Sequence, residues 1–552
     1  MGRYSAHLDT FARDNLPPPH EQPDFVFNLP DLNYPKRINC VTELLDNWIE
    51  TAEGDRPVLA SPTEKWTYAE LAARVNRIAN VLREQFGIVP GNRVLLRAPN
   101  NPLLVACYFA VIKLGAVAVA TMPLLRAREL LYICEKAKVS VALCDHRLLD
   151  DLQRTRELGS GIRDIIPVGS TAENDITSSM RYASPDFPAC DTAAEDICLI
   201  AFTSGTSGEP KGTMHNHRDT LAVCDTYGRH VLRATADDIF IGSPPLAFTF
   251  GLGGLTLFPM RVGASTILLE KAAPDDLLDA IRRFHPTVCF TAPTAYRALL
   301  DKIQSADVKS LRKCVSAGEA LPKATWEAWQ AKTGISILDG IGATEMLHIF
   351  IGAPEDKIRP GATGIPVPGY EAKIIDGEGR DLRRGSIGRL AVRGPTGCRY
   401  LADKRQSQYV QNGWNITGDT YLLDEDGYFW YQARSDDMII SAGYNIAGPE
   451  VEAVLLTHPA VQECGVIGKP DPERGQCVAA YIVLRPGFDA SHDLTSALQA
   501  HVRAEIAPYK YPRVIEYVAA LPRTQTGKLQ RHILRAGAAG APRMTTSATS
   551  DA

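Results

Sequence analysis

The sequence lacks any uncharged apolar run long enough to cross a membrane. Its longest candidate, residues 103–120, contains Lys113 and Gly115. A span needs about 20 predominantly apolar residues, so this stretch is expected to be a buried helix running into a buried strand. Positive charge is not in excess either. With 59 Lys and Arg against 64 Asp and Glu, the formal net charge is −5. That excludes the basic field a nucleic acid or an anionic bilayer would demand, and leaves anionic ligands to be held by local devices. None of the 12 cysteines stands in a C-x-x-C pair. The thiols therefore read as buried or idle, with no zinc site and no disulfide framework. Residues 1–19 have no apolar core of signal-peptide type, so a cytoplasmic protein is expected. No internal repeat is visible.

What is present is core-building material: 45% of the 552 residues are hydrophobic, ample for more than one domain. Short apolar runs at 93–97, 139–144, 197–202, 265–269 and 288–291 read as buried strands. Between them, 68–86 and 275–284 carry apolar residues at helical spacing. This alternation predicts an α/β body of mostly parallel sheets covered by helices. The pattern restarts near 434–437 as a smaller α+β unit. Pro449 suits the first turn of a helix over 450–456, 461–467 and 479–484 look like strands, and Leu494, Leu498, Val502 and Ile506 share one helix face. The expected domains are 1–434 and 435–536, followed by a tail, 537–552, whose small polar residues predict disorder.

The most informative segment follows the strand at 197–202. Thr203, Ser204, Gly205, Thr206, Ser207 and Gly208 lead through Glu209 and Pro210 to Lys211 and Gly212. Hydroxyls and glycines at this density offer O–H and exposed N–H donors, and Lys211 adds a positive charge, so the loop can wrap a polyphosphate. A P-loop NTPase is excluded, because Pro210 precedes the lysine and Gly212 replaces the magnesium-binding Ser or Thr. Gly251, Gly253 and Gly254 lack the full spacing of a dinucleotide fold.

Six further elements stand in fixed order: Ser-Ala-Gly-Glu-Ala-Leu at 316–321, Asp-Gly-Ile-Gly-Ala-Thr-Glu at 339–345, Thr-Gly-Asp at 417–419, Ala-Arg-Ser-Asp-Asp-Met-Ile-Ile at 433–440, Gly-Tyr-Asn-Ile at 443–446 and Pro-Arg-Thr-Gln-Thr-Gly-Lys at 522–528. With these the chain resembles the adenylate-forming, AMP-binding superfamily of acyl- and aryl-CoA synthetases, adenylation domains and luciferases. The resemblance implies a small β-rich subdomain in the body and a mobile C-terminal lid. It also implies ATP, Mg²⁺ and coenzyme A as ligands, and roles for particular residues. Thr203, Ser204, Gly205, Ser207 and Gly208 would hold phosphates. Gly318, Glu319 and Ala320, with Asp339, Gly340 and Ile341, would wall the adenine, where glycine permits close backbone approach. Asp419 would accept from both ribose hydroxyls, and Arg434 would bond the ribose from the other side. Glu345 and Thr206 would bind Mg²⁺, Thr344 would lie near the phosphates, and Lys211 and Lys528 would stabilise charge in the adenylation step.

Within that superfamily the segments 245–253 and 340–350, the latter ending Met-Leu-His-Ile-Phe, look most like those of benzoate– and 2-aminobenzoate–CoA ligases. Phe248, Thr249, Phe250, Gly342, His348 and Ile349 would then line a short, flat pocket for an aromatic acid. The Thr249 hydroxyl could meet an ortho amino or hydroxyl group, which points to 2-aminobenzoate or salicylate, with benzoate still open. The resemblance further implies a hinge at Asp436 and a thiol tunnel lined by Ser441, Ala442, Gly443 and Tyr444. No carrier domain follows Lys528, so coenzyme A is the expected acceptor. A stand-alone enzyme loading a carrier protein remains an alternative, as does a non-catalytic sensor of nucleotide or acyl-CoA. The sensor reading conflicts with the presence of Lys211, Glu345, Asp419, Arg434 and Lys528 together. Neither a nucleic-acid nor a membrane partner is expected; a homodimer is left open.

Overall fold

The computed structural model describes residues 4–203, 209–434, 437–441, 444–472, 474–524 and 528–540. Apolar runs without alternation become strands buried on both faces, as covered parallel sheets require. Every residue of Arg93–Arg97, Val117–Thr121, Val141–Asp145 and Ile197–Phe202 is buried. These strands form a six-stranded sheet in the order Asp164–Val168, Val141–Asp145, Arg93–Arg97, Val117–Thr121, Ile197–Phe202, Gly212–Asn216. All neighbours are parallel except the last pair.

A nine-stranded sheet runs Ile365–Pro366, Ile349–Gly352, Ile337–Gly342, Lys313–Ser316, Val288–Thr291, Ile239–Gly242, Ser265–Ile267, Pro57–Ala60, Lys65–Thr67. Its centre is parallel and its two ends antiparallel. A smaller β-rich layer pairs Glu371–Ile375 with Ile387–Arg393, and Val410–Gln411 with the start of Trp414–Leu423. The apolar stretch at 103–120 is the helix Pro102–Lys113 followed by Val117–Thr121, and no described helix is long and apolar enough to cross a membrane. The charge inside it is answered: Lys113 Nζ donates to Asp46 Oδ1 at 2.8 Å and to Asn76 Oδ1 at 2.6 Å.

The chain divides into two compact units, 1–417 with 422–430, and 418–421 with 431–552. The second thus begins a few residues before the boundary read from the sequence and includes Gly418–Tyr421. Its sheet runs Tyr444–Ile446, Ile439–Ser441, Gly475–Leu484, Val461–Asp471, with Val514–Tyr517 added parallel to Gly475–Leu484. The helix Gly448–Leu455 carries Pro449 in its first turn, as expected. Leu498 and Val502 of His492–Glu505 are fully buried, with Leu494 and Ile506 packed at the rim. The expectation of disorder from 537 is corrected at its start, because the helix Arg531–Gly540 continues past that point. Leu534 anchors it in a cluster with Ile467, Tyr481 and Leu521.

All twelve cysteines are unpaired. Cys40 and Cys198 meet His217 in the core, with ligand atoms all within 4.8 Å of one another. His217 Nδ1 accepts from the Cys40 backbone N–H at 3.2 Å.

Candidate active site

Most of the expected site residues of the large unit lie at or just beyond the carboxyl ends of strands, where open α/β sheets place their ligands. The hairpin of Ile197–Phe202 and Gly212–Asn216 forms the stem of the phosphate loop. Thr203 N–H donates to the Lys211 carbonyl at 2.9 Å, and Lys211 N–H returns a bond to Thr203 Oγ1 at 3.2 Å. The stem fixes where Lys211 leaves the sheet. Ser204, Gly205, Thr206, Ser207 and Gly208 lie outside the described residues.

Glu345 sits in the 3₁₀ turn Thr344–Met346, directly after the strand Ile337–Gly342. Leu347 closes this turn with φ +68°, a backbone state that costs a non-glycine residue energy and is held only where packing dictates it. Leu347 is 1% exposed. Across the site, His215 lies 2.8 Å from the Thr344 carbonyl through Nε2. A carbonyl only accepts, so Nε2 carries the proton. The turn is thereby tied to the strand Gly212–Asn216.

Lys211 and Glu345 converge, with Nζ 3.5 Å from Oε1. Between them stands Tyr400, a residue the motifs did not point to. Lys211 Nζ donates to its hydroxyl at 2.7 Å, and that hydroxyl donates to Glu345 Oε1. Burial, reinforced by the Glu345 carboxylate, pushes the Tyr400 phenol far up, so the proton stays on the tyrosine. Tyr400 is held in register by a bridge to Thr213, with bonds from Met214 N–H to the Arg399 carbonyl and from Leu401 N–H to the Gly212 carbonyl. Beneath it, Arg399 donates to Asp219 Oδ2 at 2.7 Å. Burial would raise the Asp219 carboxyl, but Arg399 and His215 hold it down at about 2. Among the described residues no hydrogen bond reaches Glu345 Oε2. A hard anionic oxygen beside the phosphate-loop lysine fits Mg²⁺.

Two of the residues expected to line the acid pocket, Phe250 and His348, pack together, and His348 is 3% exposed. Ring centroids of Phe258, Tyr227, Phe250 and Phe290 lie 4.5, 5.5, 5.7 and 6.5 Å from the imidazole. Only Phe250 of these was marked by the sequence. Neither imidazole nitrogen has a hydrogen-bond partner among the described residues. Burial pushes the ring down to about 3, offset only in part by a Phe250 backbone group that approaches it without reaching hydrogen-bond geometry, so it is a neutral group. Glycine makes this collar possible. A Cβ on Gly253 would lie 2.3 Å from His348 Cδ2, one on Gly254 2.4 Å from Phe290 Cδ1, and one on Gly342 2.8 Å from the His348 carbonyl carbon. Ile349 is buried, and its Cγ2 fills the space over Gly340. Phe248 and Thr249, at the start of the short helix Thr249–Leu252, are half-buried.

Of the expected adenine walls, Gly318 has φ +91° and leaves the end of Lys313–Ser316 with Glu319 and Ala320 at the surface or half-buried. Gly340 and Ile341 belong to the neighbouring strand, Ile337–Gly342. Burial pushes the Asp339 carboxyl well up, and its Oδ1, Ser316 Oγ and Tyr227 Oη are buried without partners among the described residues. In the smaller unit Asp419 and Arg434 approach to 3.5 Å, and Tyr421 packs edge-on against Tyr431. Lys528 is exposed, and its backbone N–H donates to Thr524 Oγ1 at 3.0 Å. Ser441 is buried and pairs with Tyr444, whose half-exposed ring stacks on Tyr509 at 4.4 Å. Asp436, Ala442 and Gly443 lie outside the described residues.

Comparison with known proteins agrees with this arrangement. Residues 45–400 match the model of the AMP-binding enzyme family, and 450–528 match that of the AMP-binding enzyme C-terminal domain. A benzoate–CoA ligase of Thauera aromatica is 35% identical over 92% of this chain and 97% of its own length. The mitochondrial acyl-coenzyme A synthetase ACSM3 of Mus musculus is 32% identical over 91% of each chain. The crystal structure of an anthranilate CoA ligase, AuaEII, with anthranoyl-AMP superposes with a TM-score of 0.88. It is 37% identical over 92% of this chain and 99% of that one. Likeness of this extent in both units decides the question of kind: the chain belongs to the AMP-binding, adenylate-forming family and is an AMP-forming acid–thiol ligase.

Proposed function

We propose that this ligase activates an aromatic acid of benzoate type, such as 2-aminobenzoate, benzoate or salicylate, and transfers it to coenzyme A. The observation that carries this reading is the aromatic collar around a neutral, unpartnered His348. Flat apolar walls suit a ring, and one buried imidazole can orient a polar substituent or the carboxylate. The names of a benzoate–CoA ligase and an anthranilate CoA ligase among its relatives support the ring and the coenzyme A acceptor.

In the first step the acid's carboxylate oxygen attacks the α-phosphorus of ATP, the bond to pyrophosphate breaks, and acyl-AMP remains. Lys211 supplies positive charge to the phosphates from the end of its rigid stem, with the hydroxyls at 203–207 as further donors. Glu345 and Thr206 would hold Mg²⁺, which supplies charge neutralisation on the phosphates. Asp419 and Arg434 fix the ribose, and Lys528 meets the negative charge where carboxylate and phosphate approach. In the second step the thiol sulfur attacks the acyl carbon, the mixed-anhydride bond breaks, and AMP leaves. Ser441 to Tyr444 would line the thiol's path, with Asp436 as the hinge between the two states. No protein nucleophile is needed; positioning and charge carry the rate.

The test is pyrophosphate release with MgATP across benzoate, 2-aminobenzoate, salicylate, a cinnamate and a medium-chain fatty acid, each with and without coenzyme A. Turnover on the benzoates that yields a CoA thioester is expected. Turnover on the fatty acid alone would keep the ligase and remove the aromatic pocket.

A further inference from the structure

Three groups meet where the proposed chemistry needs a cation and a phosphate, and only two of them have a role in it. The third, Tyr400, is 1% exposed. Its hydroxyl is saturated, accepting from Lys211 Nζ at 2.7 Å and donating to Glu345 Oε1. Its ring also carries the ammonium, with Nζ 4.6 Å from the centroid, while Tyr409 stands behind at 5.7 Å. Structural filler would not require the hydroxyl. A phenylalanine would pack the same space against Tyr409, which meets Tyr400 edge-on at 5.7 Å.

The geometry assigns a task to that hydroxyl. A carboxylate has two oxygens and rotates about its last bond. Fixing Oε1 with a donor fixes the direction in which Oε2 points, and no described residue bonds Oε2. We propose that Tyr400 is a positioning residue for adenylation: its hydroxyl orients Glu345 so that Oε2 faces the divalent cation of the metal–nucleotide complex, and it holds the Lys211 ammonium at the phosphate site until the polyphosphate takes it over. Partners that orient a metal ligand are typically worth about 10- to 100-fold in metal affinity or activity. Tyr400 is one of three successive residues, Arg399 to Leu401, locked to the phosphate-loop stem. The orienting group and the phosphate-binding lysine therefore share one rigid support, as precise positioning requires.

This rests on the function proposed above, and the experiment separates the two. Binding of Mn²⁺ in the presence of ATP is followed by the electron paramagnetic resonance of free Mn²⁺, with wild type and Tyr400→Phe compared. The variant is expected to bind the metal–nucleotide complex about tenfold more weakly. Its pyrophosphate release should need correspondingly more Mg²⁺, while KM for the acid moves less than about twofold. A folded variant with wild-type Mn²⁺ affinity and Mg²⁺ dependence overturns the role of Tyr400 alone. A wild-type chain that binds no Mn²⁺–ATP overturns the function reading and this one with it. If the variant does not fold, 3-fluorotyrosine at position 400 of the otherwise unchanged chain decides. Its fluorine resonance should broaden when Mn²⁺–ATP is added and sharpen when Mg²⁺–ATP replaces it; a resonance indifferent to the paramagnetic ion overturns the proposal.

Discussion

At the scale of single residues, His348 connects stability to the specificity proposed above. Its pKa in the fold is about 3, against 6.5 for an exposed imidazole. Below pH 6.5 the unfolded chain binds a proton there and the folded chain does not. The stabilisation is therefore complete above pH 6.5 and is lost as pH falls from 6.5 toward 3, at up to about 1.4 kcal/mol per pH unit. His7, also lowered by burial, acts with the same sign. Urea unfolding at pH 7.5, 6 and 4.5 should show wild type losing stability more steeply than His348→Gln, so that the gap between them narrows; a gap independent of pH would mean the imidazole titrates in the fold. Gly253→Ala probes the same ring from the other side. Its methyl group would lie 2.3 Å from His348 Cδ2, so the imidazole must move. Overpacking of this kind costs about 1–3 kcal/mol, and KM for the aromatic acid should rise by about tenfold or more with KM for ATP little changed. An equal rise in both would place the collar away from the acid. Thr249→Ala is expected to lower the preference for ortho-substituted benzoates over benzoate, read as a ratio of kcat/KM values.

At the scale of elements, the hairpin of Ile197–Phe202 and Gly212–Asn216 and the segment Arg399–Leu401 form one support for the proposed phosphate site. The buried pair Arg399–Asp219 ties the segment to the helix His217–Val223 that follows the hairpin, with side chains 5% and 0% exposed. Arg399→Met would leave a carboxylate in the interior without its cation, at a cost of about 3–5 kcal/mol. The melting temperature should fall by several degrees, and pyrophosphate release should fall with it because Tyr400 adjoins the lost anchor; a melting curve equal to wild type would show that the pair is dispensable. The hairpin's first strand was legible in the sequence, because a strand covered on both faces reads as an unbroken apolar run. Tyr400 was not legible, since it lies in an irregular stretch and acquires its role from pairing with residues nearly two hundred positions away. Tyr227, Phe258 and Phe290 escaped for the same reason, as each comes from a different element. The one local signal was glycine: Gly251, Gly253 and Gly254 crowded into an apolar segment mark the place where other groups approach the backbone, and here those groups are the Pro245 carbonyl, His348 and Phe290 in turn.

At the scale of the whole molecule, the proposed chemistry is distributed over both units of the chain. Lys211, Glu345, Tyr400 and the aromatic collar belong to the larger unit; Asp419, Arg434, Ser441 and Lys528 belong to the smaller. If the smaller unit serves the two steps in two arrangements, substitutions in it should separate the half-reactions instead of weakening both. In the proposed mechanism Lys528 would offset the charge brought together as carboxylate attacks phosphorus, so Lys528→Ala should abolish pyrophosphate release and largely spare thioester formation from supplied acyl-AMP and coenzyme A. Asp436 is assigned to the backbone rotation between steps. Proline there fixes φ near −65°, so Asp436→Pro should retain acyl-AMP formation and lose the thioester. The measurement is a pair of single-turnover assays on each variant, one from acid and ATP, the other from acyl-AMP and coenzyme A. Opposite losses in the two variants require two working states of one chain. Equal loss of both half-reactions in both variants would mean that a single arrangement performs both, and the hinge at Asp436 would have no part in the cycle.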